Sequence, residues 1–565
     1  MAERPPIATA LRDALKGGYS LAVLRRDALA ALVVSLVALP LAMALSIAVG
    51  LPPQNGLYTA IVAGLVVPLL GGSRWQVSGP TAAFVVIVAP IIAAHGLRGL
   101  ILTTLMAGVL LIALGLGRVG RYIAYIPYPV TTGFTAGIAV VIGTLALNDF
   151  LGLHIAHLTG SYLDKIGAIA LHVPSLNWPE ALVGLVSLVV MFTSDRLIPK
   201  VPPPVAGIGA GTLLALGLQK AGLAVATLGS QYSHALPGGG VGRGIPPFPP
   251  SLHLPGLDPS ALFALPTFGE LKMLAVPALV IAALGALESL LSATVADGMA
   301  GTKHDPNAEL VGIGIGNILS ALAGGIPATG AIARTATNIH SGARTPLASA
   351  MHAVLIMLYV MLLAPVMSYI PMASLAALLI TVAYRMSHWR QGLRIFSIGP
   401  RSDAAVLVAC FGFTVFIDMV WGVGVGVVLA CFLLVRNIAA LTQTGISGGG
   451  NGTHAQMPAL PGDVMVYHID GSIFFATIEK AFDRMGFVHD GVRTLIIDME
   501  KVPLIDMSGL VAMKGLILDL EAQHRKVILC GRQDVTGPIL KKLPEAARAD
   551  VRVTQTLADA AMLVA

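Results

Sequence analysis

The sequence predicts an all-α polytopic membrane domain of about fourteen spans, arranged as a seven-plus-seven inverted repeat, followed by a small α/β domain. Three observations carry this. The chain is 56% hydrophobic and only 11% charged, with a mean hydropathy of +0.82, whereas an ordinary soluble domain is about 25% charged. Apolar runs long enough to cross a hydrocarbon core of about 30 Å, about 20 residues each, recur from Ala28 to about Arg436. After Gly445 charges return and short strand-like runs alternate with amphipathic ones, the mark of a soluble unit.

Residues 1–27 form an N-terminal segment, and the first apolar run is a retained helix because no small-residue cleavage site separates it from the spans that follow. The expected spans are 28–50, 56–71, 79–95, 98–117, 127–147, 178–196, 203–219, 273–297, 307–323, 330–343, 346–369, 372–386, 403–420 and 421–436. A Gly-rich linker (441–456) leads to a C-terminal domain, 457–565. Cationic residues cluster before the first span and after even-numbered ones (Arg74, Arg118, Arg121, Arg196, Lys303, Arg344, Arg385 and others), which places both termini in the cytoplasm of an inner (plasma) membrane protein.

The Pro/Gly-rich stretch 220–272 divides the membrane portion, 28–440, into repeats of about 28–219 and 273–440. Seven spans per repeat is an odd number, so the second repeat enters the membrane inverted. LLGGSRWQVSGPTAA (69–83) and LAGGIPATGAIARTA (322–336) echo each other, with a double glycine, then Pro and Thr, before a helical pattern resumes. Interrupted helices at matching places in inverted repeats point to a transporter's central site; the competing reading is that Gly and Pro serve helix packing.

Other classes are disfavoured. Cys410, Cys431 and Cys530 have no paired spacing, so neither a metal nor a cofactor is expected. No basic run with interleaved aromatics suggests nucleic acid, despite a net charge of +6. No nucleophile–base spacing or phosphate loop suggests an enzyme or an ATP-driven pump. GIGIGN (312–317) reads as close helix packing, and the Asn451-Gly452-Thr453 acceptor motif is discounted because it falls in a linker expected on the cytoplasmic side.

Two charged residues inside spans carry the chemistry. Glu288 sits mid-span in LVIAALGALESLLSATVADG (279–298); a carboxylate there costs about 2.5–3.5 kcal/mol and needs a cavity or a partner. Ser292, four residues on, shares its face. Burial and a nearby Arg334 would pull its protonation in opposite directions, which suits proton coupling; a bracing hydrogen bond is the competing reading. Arg334 follows the Gly-Pro break by one to two turns. If half-helices begin near 328–330 and at Ser78-Gly79-Pro80-Thr81, two positive helix ends and a guanidinium face one another as an anion site, unless Arg334 snorkels to the interface.

ALPLAMALSIAVGLPPQNGLYTAIVAG (38–64), and then VSGPTAA, ALESLL and AIARTATN in order, resemble the SulP sulfate permease/solute carrier 26 anion transporters over nearly the whole chain. SGPTAAFVVI and GTKHDPNAELVG bring it nearest to the bacterial C4-dicarboxylic acid uptake permeases. The resemblance implies a core domain (spans 1–4 and 8–11) moving like an elevator against a gate domain (spans 5–7 and 12–14), with substrate bound between spans 1, 3, 8 and 10. The matching positions are Leu45; Ser78, Gly79, Pro80, Thr81 and Ala82; Glu288 and Ser292; and Gly330, Ala331, Ile332, Ala333 and Arg334. Ala333 replaces a serine of several anion-exchanging relatives, and Glu288 and Ile332 replace the Asp and Thr of sodium-coupled bicarbonate members. Both departures favour protons over sodium.

The tail resembles a STAS domain, with Asp506-Met507-Ser508-Gly509 where the anti-sigma-factor antagonists carry a phosphorylated Asp-Ser segment. Ser508 is a candidate phosphosite; a plain helix N-cap is the competing reading. The domain is expected to support a homodimer or to dock a cytosolic protein. The reading is a secondary carrier, not an enzyme, taking up C4-dicarboxylates (succinate, fumarate, aspartate) with protons. Sulfate or bicarbonate transport is the alternative, and a membrane-anchored STAS scaffold is an alternative of another class.

Overall fold

Apolar runs become helices because lipid offers backbone N–H and C=O groups no partners of their own. The computed structural model describes residues 7–125, 127–155, 158, 160–199, 201–236, 240–253, 256, 262, 264–448, 460–482 and 491–564. The chain divides into two compact units, Met1–Val427 and Val428–Ala565. The first contains α1 (Leu21–Ala48), α2 (Pro53–Leu70), α3 (Ala83–Leu116), α4 (Tyr128–Phe150), α5 (Trp178–Leu197), α6 (Pro203–Lys220), α7 (Phe268–Ala300), α8 (Pro306–Leu322), α9 (Ile332–His340), α10 (Pro346–Met367), α11 (Met372–Met386) and α12 (Arg401–Phe416), with α13 (Met419–Leu441) leading out of it. Seven of these, α1, α2, α3, α4, α7, α10 and most of α13, are long and apolar enough to cross a membrane unaided.

Every expected span falls on one of these helices. The third and fourth share α3, whose limbs meet at Gly96 (φ 63, ψ −169), a conformation that costs a residue without Cβ little. The tenth shrinks to nine residues, because the stretch before it is extended rather than helical. Among the described residues, three helices of eight or more residues were not expected in this unit: Thr9–Lys16, Tyr162–His172 and Trp389–Ile398. They are short and amphipathic, so a search for long apolar runs passes over them. The motif Asn451-Gly452-Thr453 and much of the expected linker lie outside the described residues.

Two packing groups emerge. In one, α3 lies against α7 and α8, and α10 against α1 and α2; in the other, α4 lies against α11 and α12, and α5 against α6 and α11. They are the core and gate groupings. Close backbone approach seals the first: a Cβ on Gly108 would fall 2.7 Å from the Gly314 carbonyl, and one on Gly314 2.7 Å from the Gly108 carbonyl. GIGIGN therefore packs helices, as small residues do in membranes.

Four short strands interrupt the helices. β2 (Ser233–Ala235) and β3 (Val241–Arg243) form a hairpin in the long connection, whereas β1 (Ser78–Gly79) and β4 (Thr329–Gly330), one from each repeat, pair antiparallel with Ser78 opposite Gly330 and Gly79 opposite Thr329. Opposite strand directions at matching positions are what inversion of the second repeat requires.

The C-terminal unit has a five-stranded sheet in the order β5 (Gln443–Gly448), β6 (Val464–Asp470), β7 (Thr494–Asp498), β8 (Lys526–Cys530), β9 (Arg552–Thr554), parallel except for β5. Side-chain alternation divides its core: Tyr467, Leu495, Ile497 and Leu529 pack under α15 (Met507–Ala522) and α16 (Gln533–Lys542), and Val466, Ile496 and Ile528 on the other face, with Ala560 of α18 (Leu557–Met562). Between the strands and these helices, α14 (Ile478–Phe482) and α17 (Glu545–Asp550) complete the unit. The N-cap of α15 is Asp506, whose side chain accepts from Gly509 N at 2.7 Å; half-buried Ser508 lies inside the first turn and is not the cap.

Candidate functional site

The two broken segments meet at the β1–β4 crossing. Ala331 N donates to the Val77 carbonyl at 2.9 Å, and Val77 N donates to Thr335 Oγ1 at 3.1 Å. Helix α7 braces the crossing from behind: Ser289 Oγ accepts from Gly330 N at 3.1 Å, and Ser292 Oγ lies 3.1 Å from Thr335 Oγ1. Ser292 is therefore a strut, fully buried, rather than a group facing the opening. Extended backbone arises here because Pro80 biases its predecessor away from the helical region and because Gly79 and Gly330 carry no side chain to hold a helix.

Both helices then start without a side-chain cap, α3 after Ala82 and α9 after Ala331. Their first-turn N–H groups are the orphan donors of a helix N-terminus, and the dipole there favours negative charge. Helix α3 begins four or five residues later than the sequence suggests, since Ser78 to Thr81 belong to the strand and the turn beyond it. Ile332 and Ala333 are exposed, Thr81 and Ala331 half-buried, so the site opens between these two helix starts.

Arg334, in the first turn of α9, is 2% exposed and does not snorkel. Its Nη2 donates to the Pro80 carbonyl at 2.5 Å, while Nε and Nη1 have no hydrogen-bond partner among the described residues. Donors of a buried cation left unmatched cost several kcal/mol, so these two N–H groups stand out among the buried polar atoms of the crossing. Gly79 makes room for it: a Cβ there would lie 2.7 Å from Arg334 Nη1. Gly79→Ala is expected to cut anion uptake at least about 10-fold, by overpacking against the guanidinium, with the protein still inserted. Wild-type uptake by this variant in proteoliposomes would show that Arg334 does not have to occupy this place.

Glu288 Oε2 lies 2.8 Å from Thr81 Oγ1 and 2.9 Å from Thr329 Oγ1, with both hydroxyls able to donate to it. It is not in ion-pair contact with Arg334; the two are tied to consecutive residues, Pro80 and Thr81. Of the other expected residues, Leu45 is fully buried within α1, Ser78 is buried with its hydroxyl unpartnered, and Ala82 is buried at the start of α3. Thr329, Ser289, Thr335, Gln76 and Glu309 belong to the same network and were not anticipated. Glu309, a carboxylate within an expected span, carried the same signal as Glu288; the uncharged residues carried none.

One group with metal-ligand spacing occurs among the described residues, in the C-terminal unit: Asp498, Glu500 and Cys530 offer ligand atoms within 4.8 Å of one another. Sequence spacing did not group them because Cys530 comes from the next strand, in register with Asp498. Glu500 is already engaged by Leu557 N, and Asp498 by His468 Nδ1 at 2.8 Å.

The chain matches the profile of the sulfate permease family over residues 24–410 and that of the STAS domain over residues 455–560. YvdB of Bacillus subtilis (strain 168), whose name assigns it sulfate transport provisionally, is 37% identical over 533 residues, 93% of this chain and 94% of its own. A Picosynechococcus protein named bicarbonate transporter BicA is 26% identical over 539 residues, 92% of this chain and 91% of its own. Among solved structures, that of murine Solute Carrier 26 family member A9, an anion transporter in the inward-facing state, aligns at a TM-score of 0.83 and 18% identity, covering 99% of this chain and 94% of the other; the likeness is one of fold.

Proposed function

The chain belongs to the sulfate permease family of membrane anion transporters and carries a STAS domain, and from that premise we propose that it is a secondary carrier of small dianions, bound between the starts of α3 and α9. The observation that carries this is the buried Arg334, with Nε and Nη1 unmatched beside two uncapped helix starts. A full positive charge and two dipole ends favour a doubly charged ligand over a singly charged one. Within that class the name of YvdB supports sulfate, whereas the C4-dicarboxylates succinate and fumarate rest on the motif resemblance alone; aspartate, whose ammonium leaves it a net charge of −1, fits the dianion reading less well. The similarity to BicA favours a second reading, bicarbonate; Glu288 and Ile332, where sodium-coupled bicarbonate carriers have Asp and Thr, weigh against it.

Coupling falls to Glu288. Threonine hydroxyls can donate to a carboxylate and, turned round, accept from a carboxylic acid, so a proton can join Glu288 without stranding Thr81 or Thr329. The remaining proposals follow the family premise: an elevator movement of the core group against the gate group, both termini cytoplasmic in the inner membrane, and a STAS unit that supports a homodimer or docks a cytosolic protein, with Ser508 as a possible control point. Competition among labelled sulfate, succinate and bicarbonate in proteoliposomes, with an imposed pH gradient, tests the reading. Competition by sulfate or succinate, with accumulation driven by the gradient, is expected. Transport of bicarbonate alone would overturn the dianion assignment, and no transport at all would favour the scaffold alternative.

A further inference from the structure

The broken segments are held from outside by a reciprocal pair of brackets. The turn before β4 is held by α2: Asn55 Nδ2 donates to the Gly324 carbonyl at 2.6 Å, and Thr59 Oγ1 accepts from Ile326 N at 2.7 Å. The turn before β1 is held by α8, again from residues four apart: Asp305 N donates to the Gly72 carbonyl at 3.1 Å, and Glu309 Oε2 accepts from Gly72 N and Ser73 N, each at 2.8 Å. The first bracket is neutral. The second contains a carboxylate only 1% exposed, whose other oxygen accepts from Gln76 Nε2 at 2.6 Å.

Gln76 in turn presses on the crossing itself. A Cβ on Gly330 would fall 2.3 Å from both Gln76 Cδ and Nε2, so the amide lies flat against the Gly330 backbone, directly behind the uncapped start of α9 and four residues before Arg334. Two of Glu309's partners are backbone N–H groups, which can only donate, so a proton on the oxygen they share would break a bond; the third, the Gln76 amide, can accept only by turning over. The two carboxylates therefore differ in their surroundings, Glu288 between two hydroxyls that turn and Glu309 held by two fixed backbone N–H groups and one side-chain amide.

We infer that Glu309 and Gln76 are positioning residues for the anion site: the carboxylate anchors the 71–76 turn and orients the Gln76 amide, which sets how far β4 and the start of α9 stand from β1. This rests on the anion reading above and adds a determinant of affinity that never touches the anion. Removing the amide leaves β4 free to sag towards the turn, so the N–H groups of α9 and Arg334 lose their common focus.

The test uses the full-length protein, with labelled sulfate uptake in proteoliposomes and hydrogen exchange of the backbone amides at 77–79 and 329–331. Gln76→Ala is expected to raise KM about 10-fold while the maximal rate changes less than about 2-fold, and to speed exchange at the crossing but not throughout the membrane unit. Gly330→Ala should abolish uptake by colliding with the Gln76 amide, and Gln76→Ala in the same chain should restore part of it. Wild-type exchange at the crossing in Gln76→Ala, or absence of rescue in the double variant with Gly330→Ala still folded, would overturn the inference; a uniform rise in exchange with KM unchanged would reduce the pair to general stability. Arg334→Ala run alongside separates the two levels: if it leaves sulfate KM unchanged the anion reading fails, while the exchange data still decide the role of Gln76 without any substrate.

Discussion

Arg334→Ala is expected to weaken binding of a dianion about 100-fold and of a monoanion about 10-fold. Each hydrogen bond from a buried charged donor is worth about 1.5–3 kcal/mol, and each 1.4 kcal/mol is about tenfold in affinity. The Coulombic part doubles with the ligand's charge, so the logarithm of the loss doubles too. The helix starts remain in the variant, which is why binding weakens rather than disappears. Arg334→Lys keeps the charge without the planar fork and should fall between the two, separating loss of contact from loss of fold. Calorimetric titration with sulfate and with a monovalent anion measures both; equal losses would count against a charge-reading arginine.

The second large effect is on pH dependence. With Glu288 ionised, its negative charge stands near that of the anion; when it takes a proton, that repulsion disappears and Arg334 serves the anion alone. Uptake by the wild type should therefore rise as the external pH falls from about 8 to about 5. The groups facing Glu288 are the hydroxyls of Thr81 and Thr329 and, beyond them, Arg334; Ser289 and Ser292 on its own helix are engaged with Gly330 and Thr335. Glu288→Gln retains size and hydrogen bonding but cannot titrate, so its profile should vary by less than about 2-fold over the same range. A pH profile in the variant that still parallels the wild type would remove Glu288 from the coupling step. Glu309 is engaged elsewhere, accepting from Gly72 N, Ser73 N and Gln76 Nε2.

The comparison of the two carboxylates shows what could be read in advance. Both lie in apolar runs, and the cost of a charge in lipid singles out each in the same way. Glu288 drew attention because a long apolar stretch surrounds it. Glu309, the third residue of its expected span, was not singled out, yet it is the more deeply buried. Arg334 was legible from its place after a Gly-Pro break, and its depth argues against snorkelling. The late start of α3, the N-cap role of Asp506 and the thinning of the tenth span were not legible, since two-residue strands and single caps leave no periodic trace.

Sequence by itself determined the number and order of membrane segments, the inversion of the second repeat, the soluble α/β tail and two of the residues with charge in the wrong solvent, Glu288 and Arg334. These follow from local properties: the length of an apolar run, the parity of a repeat, the price of a charge in hydrocarbon. Tertiary structure alone decided that Ser78 stands opposite Gly330, that Thr81 and Thr329 share one carboxylate, and that Gln76 lies against Gly330. Those residues are separated by more than 200 positions, except for Thr329 and Glu288, 41 apart. Their meeting depends on how two inverted helix sets pack, which no local pattern of hydropathy encodes.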